Sequence, residues 1–117
     1  MTNWLVDTNI FVDYLRGRFQ AIELLSSMAD RIAISTITIS ELYAGVREGR
    51  ERETLETLIS KLDVIEVTEA IAVAGGLFQR RYLKSHGVGL ADAVIAATAQ
   101  VSGLKLVTLN QKHFPMF

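Results

Sequence analysis

The sequence predicts an α/β domain with a mostly parallel sheet, and three observations lead to that prediction. Short apolar runs of strand length alternate along the chain with longer segments of helical periodicity. Half of the 117 residues are hydrophobic and only one is proline, which excludes a disordered or collagen-like chain. Because no linker, repeat or biased segment interrupts the pattern, we expect a single domain over residues 1–117.

The first half of the chain contains two predicted strands and four predicted helices. In chain order they are a strand at 4–6, helices at 10–15 and 19–28, a strand at 32–34, a helix at 38–46 and a helix after Gly49. The last of these helices carries one apolar stripe with helical spacing, formed by Leu55, Leu58, Ile59 and Leu62. We expect Trp4 and Phe11 to lie in the core.

The second half alternates in the same way. It contains a strand formed by Val64, Ile65 and Val67, helices at 68–84 and 90–101, a strand at 104–108 and a tail at 110–117. The helix at 68–84 is predicted although it contains Gly75 and Gly76, each of which costs about 1 kcal/mol in a helix. The helix at 90–101 is apolar on every side, which is typical of a buried helix.

Composition and charge exclude several classes of protein. The chain has no cysteine, which excludes a disulfide scaffold, a thiolate zinc site and a cysteine nucleophile, and its two histidines leave little for a histidine-based metal site. A net charge of −1 argues against binding of nucleic acid through a bulk positive field. Neither a basic leader nor a run of about 20 apolar residues is present, so we expect a cytoplasmic protein without membrane spans.

Three acidic residues stand among apolar neighbours, where a carboxylate needs an explanation. Each has a structural one when it is taken alone. Asp7 follows a buried strand and suits the N-cap of the next helix. Glu41 lies three residues after Thr38, as in a capping box, and Asp92 lies in the first turn of a helix, where a negative charge suits the helix dipole.

Taken together, the same three acids point to a metal site. In an open parallel sheet, sites form outside the carboxyl ends of the strands, and right-handed crossovers place Asp7, Glu41 and Asp92 at that edge. Carboxylates that approach one another repel unless a cation lies between them. Oxygen ligands without histidine or cysteine favour Mg²⁺ or Mn²⁺, ions that assist phosphodiester hydrolysis.

Four short motifs occur in order along the chain, and together they resemble a known family. They are LVDTN at 5–9, ITISELYAG at 37–45, LADAVIAA at 90–97 and LVTLN at 106–110. This set resembles the PIN-domain ribonucleases, in particular the VapC-type toxins of bacterial toxin–antitoxin systems. Each motif is short, but the four in sequence extend over essentially the whole chain and form a specific signal.

The resemblance implies a fold, an activity and partners. The fold is a PIN-like three-layer α/β/α sandwich with a central, mostly parallel sheet of four to five strands. The activity is that of a Mg²⁺- or Mn²⁺-dependent endoribonuclease that cleaves RNA phosphodiester bonds. The implied partners are a second copy in a homodimer and a small antitoxin, which forms a hetero-oligomer with the toxin and inserts a basic residue into the acidic site.

The resemblance also assigns roles to individual residues. Asp7, Glu41 and Asp92 match the catalytic, metal-binding acids of the family. The supporting polar positions are matched by Thr8, Asn9 and Thr108. Asn110 stands at or beside the position where many PIN domains carry a fourth acid, and we expect its amide to orient a carboxylate or a metal-bound water as a further supporting residue.

Three basic residues near the helix that carries Asp92 are candidates for binding RNA phosphates, namely Arg80, Arg81 and Lys84. The alternative interpretation is a solvated helix end whose charges suit the C-terminal dipole, and both stay open. We expect His113 to be a packing or surface residue rather than a ligand.

Two other functions are compatible with parts of the pattern. One is a catalytically silent PIN module that binds RNA or protein, against which the three acids argue. The other is a receiver-like Mg²⁺-binding signalling domain. Such a domain needs a phospho-acceptor aspartate after a mid-chain strand, whereas the strands that end near Ser35 and Val67 offer none.

Overall fold

The computed structural model describes residues 2–117 and contains four strands and six α-helices in that range. The elements are β1 (Trp4–Val6), α1 (Thr8–Leu15), α2 (Phe19–Met28), β2 (Ile32–Ser35), α3 (Thr36–Gly45), α4 (Arg50–Ser60), β3 (Asp63–Ile65), α5 (Glu69–His86), α6 (Leu90–Ser102) and β4 (Lys105–Val107). Short 3₁₀ turns occupy Ala29–Arg31 and Gln111–His113. The predicted α/β class is confirmed.

The four strands form one parallel sheet in the order β3-β2-β1-β4. From β1 the chain moves outward through β2 and β3, and it then crosses back to place β4 on the other side of β1. The strand order therefore reverses between β1 and β4. In open α/β sheets a ligand binds in the crevice at such a switch point, outside the carboxyl ends of the strands.

The sheet is covered by helices on both faces, as the predicted three-layer sandwich requires. Successive residues of a strand point to opposite faces, so Val6 and Leu5 of β1 belong to different core clusters. Val6 packs with residues of α1, α2 and α4, among them the fully buried Phe11 and Leu55. Leu5 packs with α6 and with Phe114 of the C-terminal tail.

Helix α6 is the buried helix that its composition predicts. All seven residues from Ala93 to Ala99 are buried. Helix α5 packs along it, and Gly75 makes the close approach possible, because a Cβ built at Gly75 would lie 2.8 Å from Val94 Cγ2. Within residues 2–117, no helix combines the length and the apolar character needed to cross a membrane.

The two adjacent glycines of α5 predict opposite responses to alanine. Gly75→Ala forces a methyl group into Val94, and we expect it to destabilise the fold by about 1–3 kcal/mol. Gly76→Ala meets no atom within 4 Å, so the better helix propensity of alanine should stabilise by about 0.5–1 kcal/mol. Urea unfolding of both variants measures the difference. Equal free energies of unfolding would show that α5 does not rely on this contact.

Helix α3 begins earlier than predicted, which removes the predicted capping box. Ser35 is its N-cap, and the Ser35 hydroxyl accepts a hydrogen bond from the backbone N–H of Ile37 at 3.2 Å. Thr38 and Glu41 both lie inside the helix, so neither caps it. Ser35 rather than Thr38 is the N-cap because it lies at the end of β2, where the chain turns into the helix.

Three other predictions were wrong, two at element ends and one on burial in the core. Leu62 lies beyond the end of α4, although it still packs against the core. Val67 lies outside β3, and its backbone N–H donates to Thr36 Oγ1 at 3.1 Å instead of to a strand. Trp4 is only half-buried and lies beneath the Lys105 ammonium group, which is 5.6 Å from the ring centroid.

Candidate active site

Asp7 lies directly after β1, at the switch point of the sheet, and is 2% exposed. It occupies the N-cap position of α1, but its side chain makes no capping hydrogen bond, so the capping interpretation is wrong. Instead its Oδ2 accepts a hydrogen bond of 2.8 Å from Thr108 Oγ1. Burial raises the pKa of Asp7 against the opposing effects of the Thr108 hydroxyl, the Thr8 backbone N–H and the His113 charge.

The Thr108 hydroxyl is held from the other side by the backbone. The Asn110 N–H donates to Thr108 Oγ1 at 2.9 Å. A hydroxyl has one proton to donate. The Thr108 hydroxyl donates it in the hydrogen bond to Asp7, and its oxygen accepts the hydrogen bond from the Asn110 N–H. The turn after β4 therefore fixes the direction of a hydrogen bond to the carboxylate after β1.

Glu41 reaches the site from the middle of α3, as the sixth residue of that helix. It is exposed, and its Oε1 is hydrogen-bonded to Thr8 Oγ1 at 2.7 Å. Thr8 is the first residue of α1 and also lies 3.1 Å from Thr38 Oγ1. Thr8 is thus a supporting residue of Glu41. Thr38, for which the sequence predicted a capping role, instead makes a polar contact with Thr8.

Asp92 lies in the first turn of α6, as predicted, and its side chain is 29% exposed. Burial raises the pKa of Asp92 most strongly, and repulsion from Asp7 raises it further. Glu41 acts in the same direction, whereas His113 lowers the pKa. The repulsion shows that the three acids lie near one another at the same edge of the sheet.

The three carboxylates are neighbours but do not surround a common point. In the described part of the chain, no three histidine, cysteine, aspartate or glutamate side chains are placed so that they could hold a metal ion. The donor chemistry nevertheless fits Mg²⁺ or Mn²⁺, because all three groups offer carboxylate oxygens. The bond from Thr8 involves only Oε1 of Glu41, so Oε2 remains as a carboxylate oxygen for an ion.

Within residues 2–117, no hydrogen bond or ion pair joins the other predicted side chains to the three acids. Asn9 is exposed, and across residues 2–117 no hydrogen bond joins its side chain to another group. Asn110 is connected to the site through its backbone N–H, and within residues 2–117 its amide makes no hydrogen bond to a carboxylate. The basic residues Arg80, Arg81 and Lys84 are exposed near the end of α5, where the Arg81 guanidinium lies 5.4 Å from the Tyr82 ring centroid.

His113 is a site residue that sequence reasoning missed. It lies in the 3₁₀ turn Gln111–His113, and its Nδ1 is 3.4 Å from Asp92 Oδ2. The expected surface location is correct, because the side chain is 56% exposed. The sequence did not predict this contact because it does not show the path of the tail, which runs from the end of β4 back to the start of α6.

Thr108 and Asn110 give a matched pair for testing how Asp7 is held. Thr108→Val removes the hydroxyl donor of a buried carboxylate, so we expect a loss of about 1–3 kcal/mol in the free energy of unfolding. Asn110→Ala keeps the backbone N–H and should change it by about 0.5 kcal/mol or less. Urea unfolding measures both. A larger loss for Asn110→Ala than for Thr108→Val would show that the amide side chain supports the site after all.

Sequence comparison gives the same assignment as the fold and the site. A family model described as the PIN domain matches residues 4–115. Ribonuclease VapC19 of Mycobacterium tuberculosis is 46% identical, in an alignment that covers 97% of this chain and 93% of the relative. Ribonuclease VapC10 of the same organism is 43% identical, with coverage of 97% and 86%.

Comparison with solved structures also finds proteins of similar fold. A toxin–antitoxin complex from Klebsiella pneumoniae contains a chain that is 31% identical, with a TM-score of 0.83 and coverage of 97% of this chain and 91% of that one. DNA-bound VapBC from Salmonella typhimurium gives a TM-score of 0.81 at 30% identity, with the same coverage. With a parallel sheet, helices on both faces and acids at its switch point, the chain belongs to the PIN domain family, and its relatives there include VapC ribonucleases.

Proposed function

We propose that this protein is a Mg²⁺- or Mn²⁺-dependent endoribonuclease and the toxin of a toxin–antitoxin pair. One observation carries the proposal. Asp7 and Asp92 are carboxylates at the switch point of the sheet whose pKa values are raised by burial, and Asp92 is also repelled by Asp7 and Glu41. Groups that disfavour one another in this way form a receptor for a cation, and perturbed acids of this kind cluster at functional sites.

The chemistry assigned to the site is hydrolysis of an RNA phosphodiester bond. When bound, a divalent ion supplies an activated water and neutralises charge on the phosphate oxygens. Asp7, Glu41 and Asp92 would bind the ion through carboxylate oxygens. Thr108 orients Asp7 and Thr8 orients Glu41, so these hydroxyls hold the acids in fixed directions.

RNA and an antitoxin are the proposed partners. The structurally similar toxin–antitoxin complexes from Klebsiella and Salmonella support the second of these. We propose that Arg80, Arg81 and Lys84 bind RNA phosphates, because they form an exposed basic segment before the loop that leads to Asp92. The toxin is further proposed to form a homodimer and to bind the antitoxin in a hetero-oligomer.

An antitoxin side chain that enters the acidic site should compete with the metal. Arginine suits this role, because its guanidinium pairs with carboxylates through two parallel hydrogen bonds. We expect Mg²⁺ at saturating concentration to weaken binding of the antitoxin to the parent chain. Binding to Asp92→Asn should be less sensitive to Mg²⁺. Calorimetric titration of the antitoxin at several Mg²⁺ concentrations tests this, and an affinity independent of Mg²⁺ would contradict it.

The proposed function is tested by measuring cleavage of total RNA by the purified chain with Mg²⁺, with Mn²⁺ and with EDTA. We expect cleavage with either ion and none with EDTA. Asp63→Asn is the matched control, because Asp63 is an exposed acid at the opposite end of a strand and should be dispensable. RNA that binds the chain but is not cut under any condition would favour the catalytically silent module.

The biological role needs a second experiment. Expression of the chain alone should arrest growth, and coexpression with the neighbouring reading frame of its operon should relieve the arrest. Growth that continues during expression of an RNA-cleaving chain would contradict the toxin assignment while leaving the enzyme assignment intact.

A further inference from the structure

We propose that Thr38 is a positioning residue that acts through Thr8 to fix the carboxylate of Glu41 for a divalent cation. The proposal rests on the metal-dependent activity proposed above. It assigns a role to a residue whose sequence context suggested only a helix cap. Thr38 is fully buried in the first turn of α3, with a relative exposure of 0%.

The directions of the hydrogen bonds follow from the number of protons. Thr8 Oγ1 is 2.7 Å from Glu41 Oε1 and 3.1 Å from Thr38 Oγ1. An ionised carboxylate only accepts hydrogen bonds, so Thr8 uses its single hydroxyl proton to donate the hydrogen bond to Glu41. Thr38 must therefore donate its own proton to Thr8, which gives a relay from Thr38 through Thr8 to Glu41.

Thr38 differs from another buried helical threonine, Thr98, in the partner of its hydroxyl. Thr98 is equally buried, in the interior of α6, and its hydroxyl donates to the carbonyl of Val94 one turn earlier at 2.7 Å. That bond is the usual one for a threonine inside a helix. Thr38 is only the third residue of α3, so the residue four positions earlier, Ile34, belongs to β2 and pairs with β3. In the described residues every buried side-chain polar atom has a partner, and for Thr38 that partner is Thr8.

The relay connects the buried residue Thr38 to the exposed side chain of Glu41. Glu41 is exposed, so packing does not select its rotamer, whereas Thr38 cannot move without disturbing the core. Thr8 belongs to α1 and both Thr38 and Glu41 belong to α3, one turn apart. The relay therefore fixes the acid of α3 relative to α1, whose N-cap is Asp7.

The test compares Thr38→Val with Thr98→Val and Thr38→Ser. Both valine variants remove one fully buried threonine hydroxyl and nearly preserve the side-chain volume, so we expect similar decreases in Tm of roughly 5 °C. Only Thr38→Val should weaken Mn²⁺ binding, by about 10-fold or more in calorimetric titration. Thr38→Ser restores a hydroxyl and should bind Mn²⁺ within about 3-fold of the parent, because an outer-shell donor is again present.

Crystal structures of the parent, Thr38→Val and Thr98→Val give a second readout that does not depend on metal or activity. We expect Glu41 Oε1 to leave hydrogen-bond distance of Thr8 Oγ1 in Thr38→Val and to keep it in Thr98→Val. Unchanged Mn²⁺ affinity together with an unmoved Glu41 would overturn the proposal. If the parent itself bound no Mn²⁺, the proposed metal dependence would fail, and the position of Glu41 in the three crystal structures would decide the role of Thr38.

Discussion

Asp7→Asn and Asp92→Asn are each expected to abolish RNA cleavage while making the metal-free protein more stable. Loss of an acid that binds the ion should reduce cleavage by more than the about 10–100-fold typical of outer-shell changes. Stability should rise because burial raises the pKa of both carboxyl groups, so the folded state disfavours their charged forms at neutral pH. Asparagine removes the charge, and its side-chain oxygen still accepts the bond from Thr108 at position 7.

The pH dependence gives the sign of this effect. A carboxyl group whose pKa is higher in the folded than in the unfolded state binds more protons when folded, so stability falls as pH rises through that interval. The advantage of Asp7→Asn and Asp92→Asn over the parent should therefore be full above the raised pKa values. It should disappear as pH falls below the ordinary carboxyl value of 3.8.

Thermal melting in EDTA from pH 3 to pH 8 measures the predicted change, with Asp63→Asn as the control that should follow the parent. Glu41→Gln should lose cleavage in the same way, which the RNA cleavage assay measures. If Asp7→Asn and Asp92→Asn melted well below the parent at neutral pH, the acids would be structural groups, and the account of a repulsive site would be wrong.

The second large effect is stabilisation of the parent by Mn²⁺. A ligand that binds only the folded state stabilises it by about 2.7 kcal/mol at a concentration of 100 times its Kd. For Asp92→Asn, a 100-fold weaker affinity reduces this gain to about 0.4 kcal/mol at the same concentration. The metal thus reverses the order of stability, because the variant is more stable in EDTA and the parent is more stable in Mn²⁺.

Urea unfolding in EDTA and in Mn²⁺ measures this reversal directly. Ca²⁺ is a useful second ion, because it accepts longer bonds and more ligands than Mg²⁺. The free energy by which Ca²⁺ stabilises a compact carboxylate site should therefore differ from that of Mn²⁺. A gain from Mn²⁺ that is equal in the parent and in Asp92→Asn would place the ion elsewhere on the protein.

The sequence predicted the elements of the fold better than their ends. The stripe of Leu55, Leu58 and Ile59 identified α4, because burial against a sheet imposes helical spacing on apolar residues. Leu62 continues that stripe in sequence but lies past the helix, since the core accepts its side chain from a turn as well. For α3, the N-cap is Ser35 rather than the predicted Thr38, because the chain turns into the helix directly at the end of β2.

The location of the site was predictable because topology alone brings Asp7, Glu41 and Asp92 to one edge of a parallel sheet. The supporting contacts were less predictable, because they join residues far apart in sequence. Thr108 reaches Asp7 across 101 positions, and Thr8 reaches Glu41 across 33. The His113 contact depends on the path of an irregular tail, for which residue periodicity gives no signal.

The central claim is that Asp7, Glu41 and Asp92 bind a divalent ion together. Crystals of the protein grown with Mn²⁺ test this most directly, since anomalous scattering locates the ion without reference to activity. We expect a Mn²⁺ peak within coordination distance of carboxylate oxygens of all three residues, and no peak there in crystals of Asp92→Asn. A chain that cleaves RNA while its Mn²⁺ lies away from these three carboxylates would contradict the account.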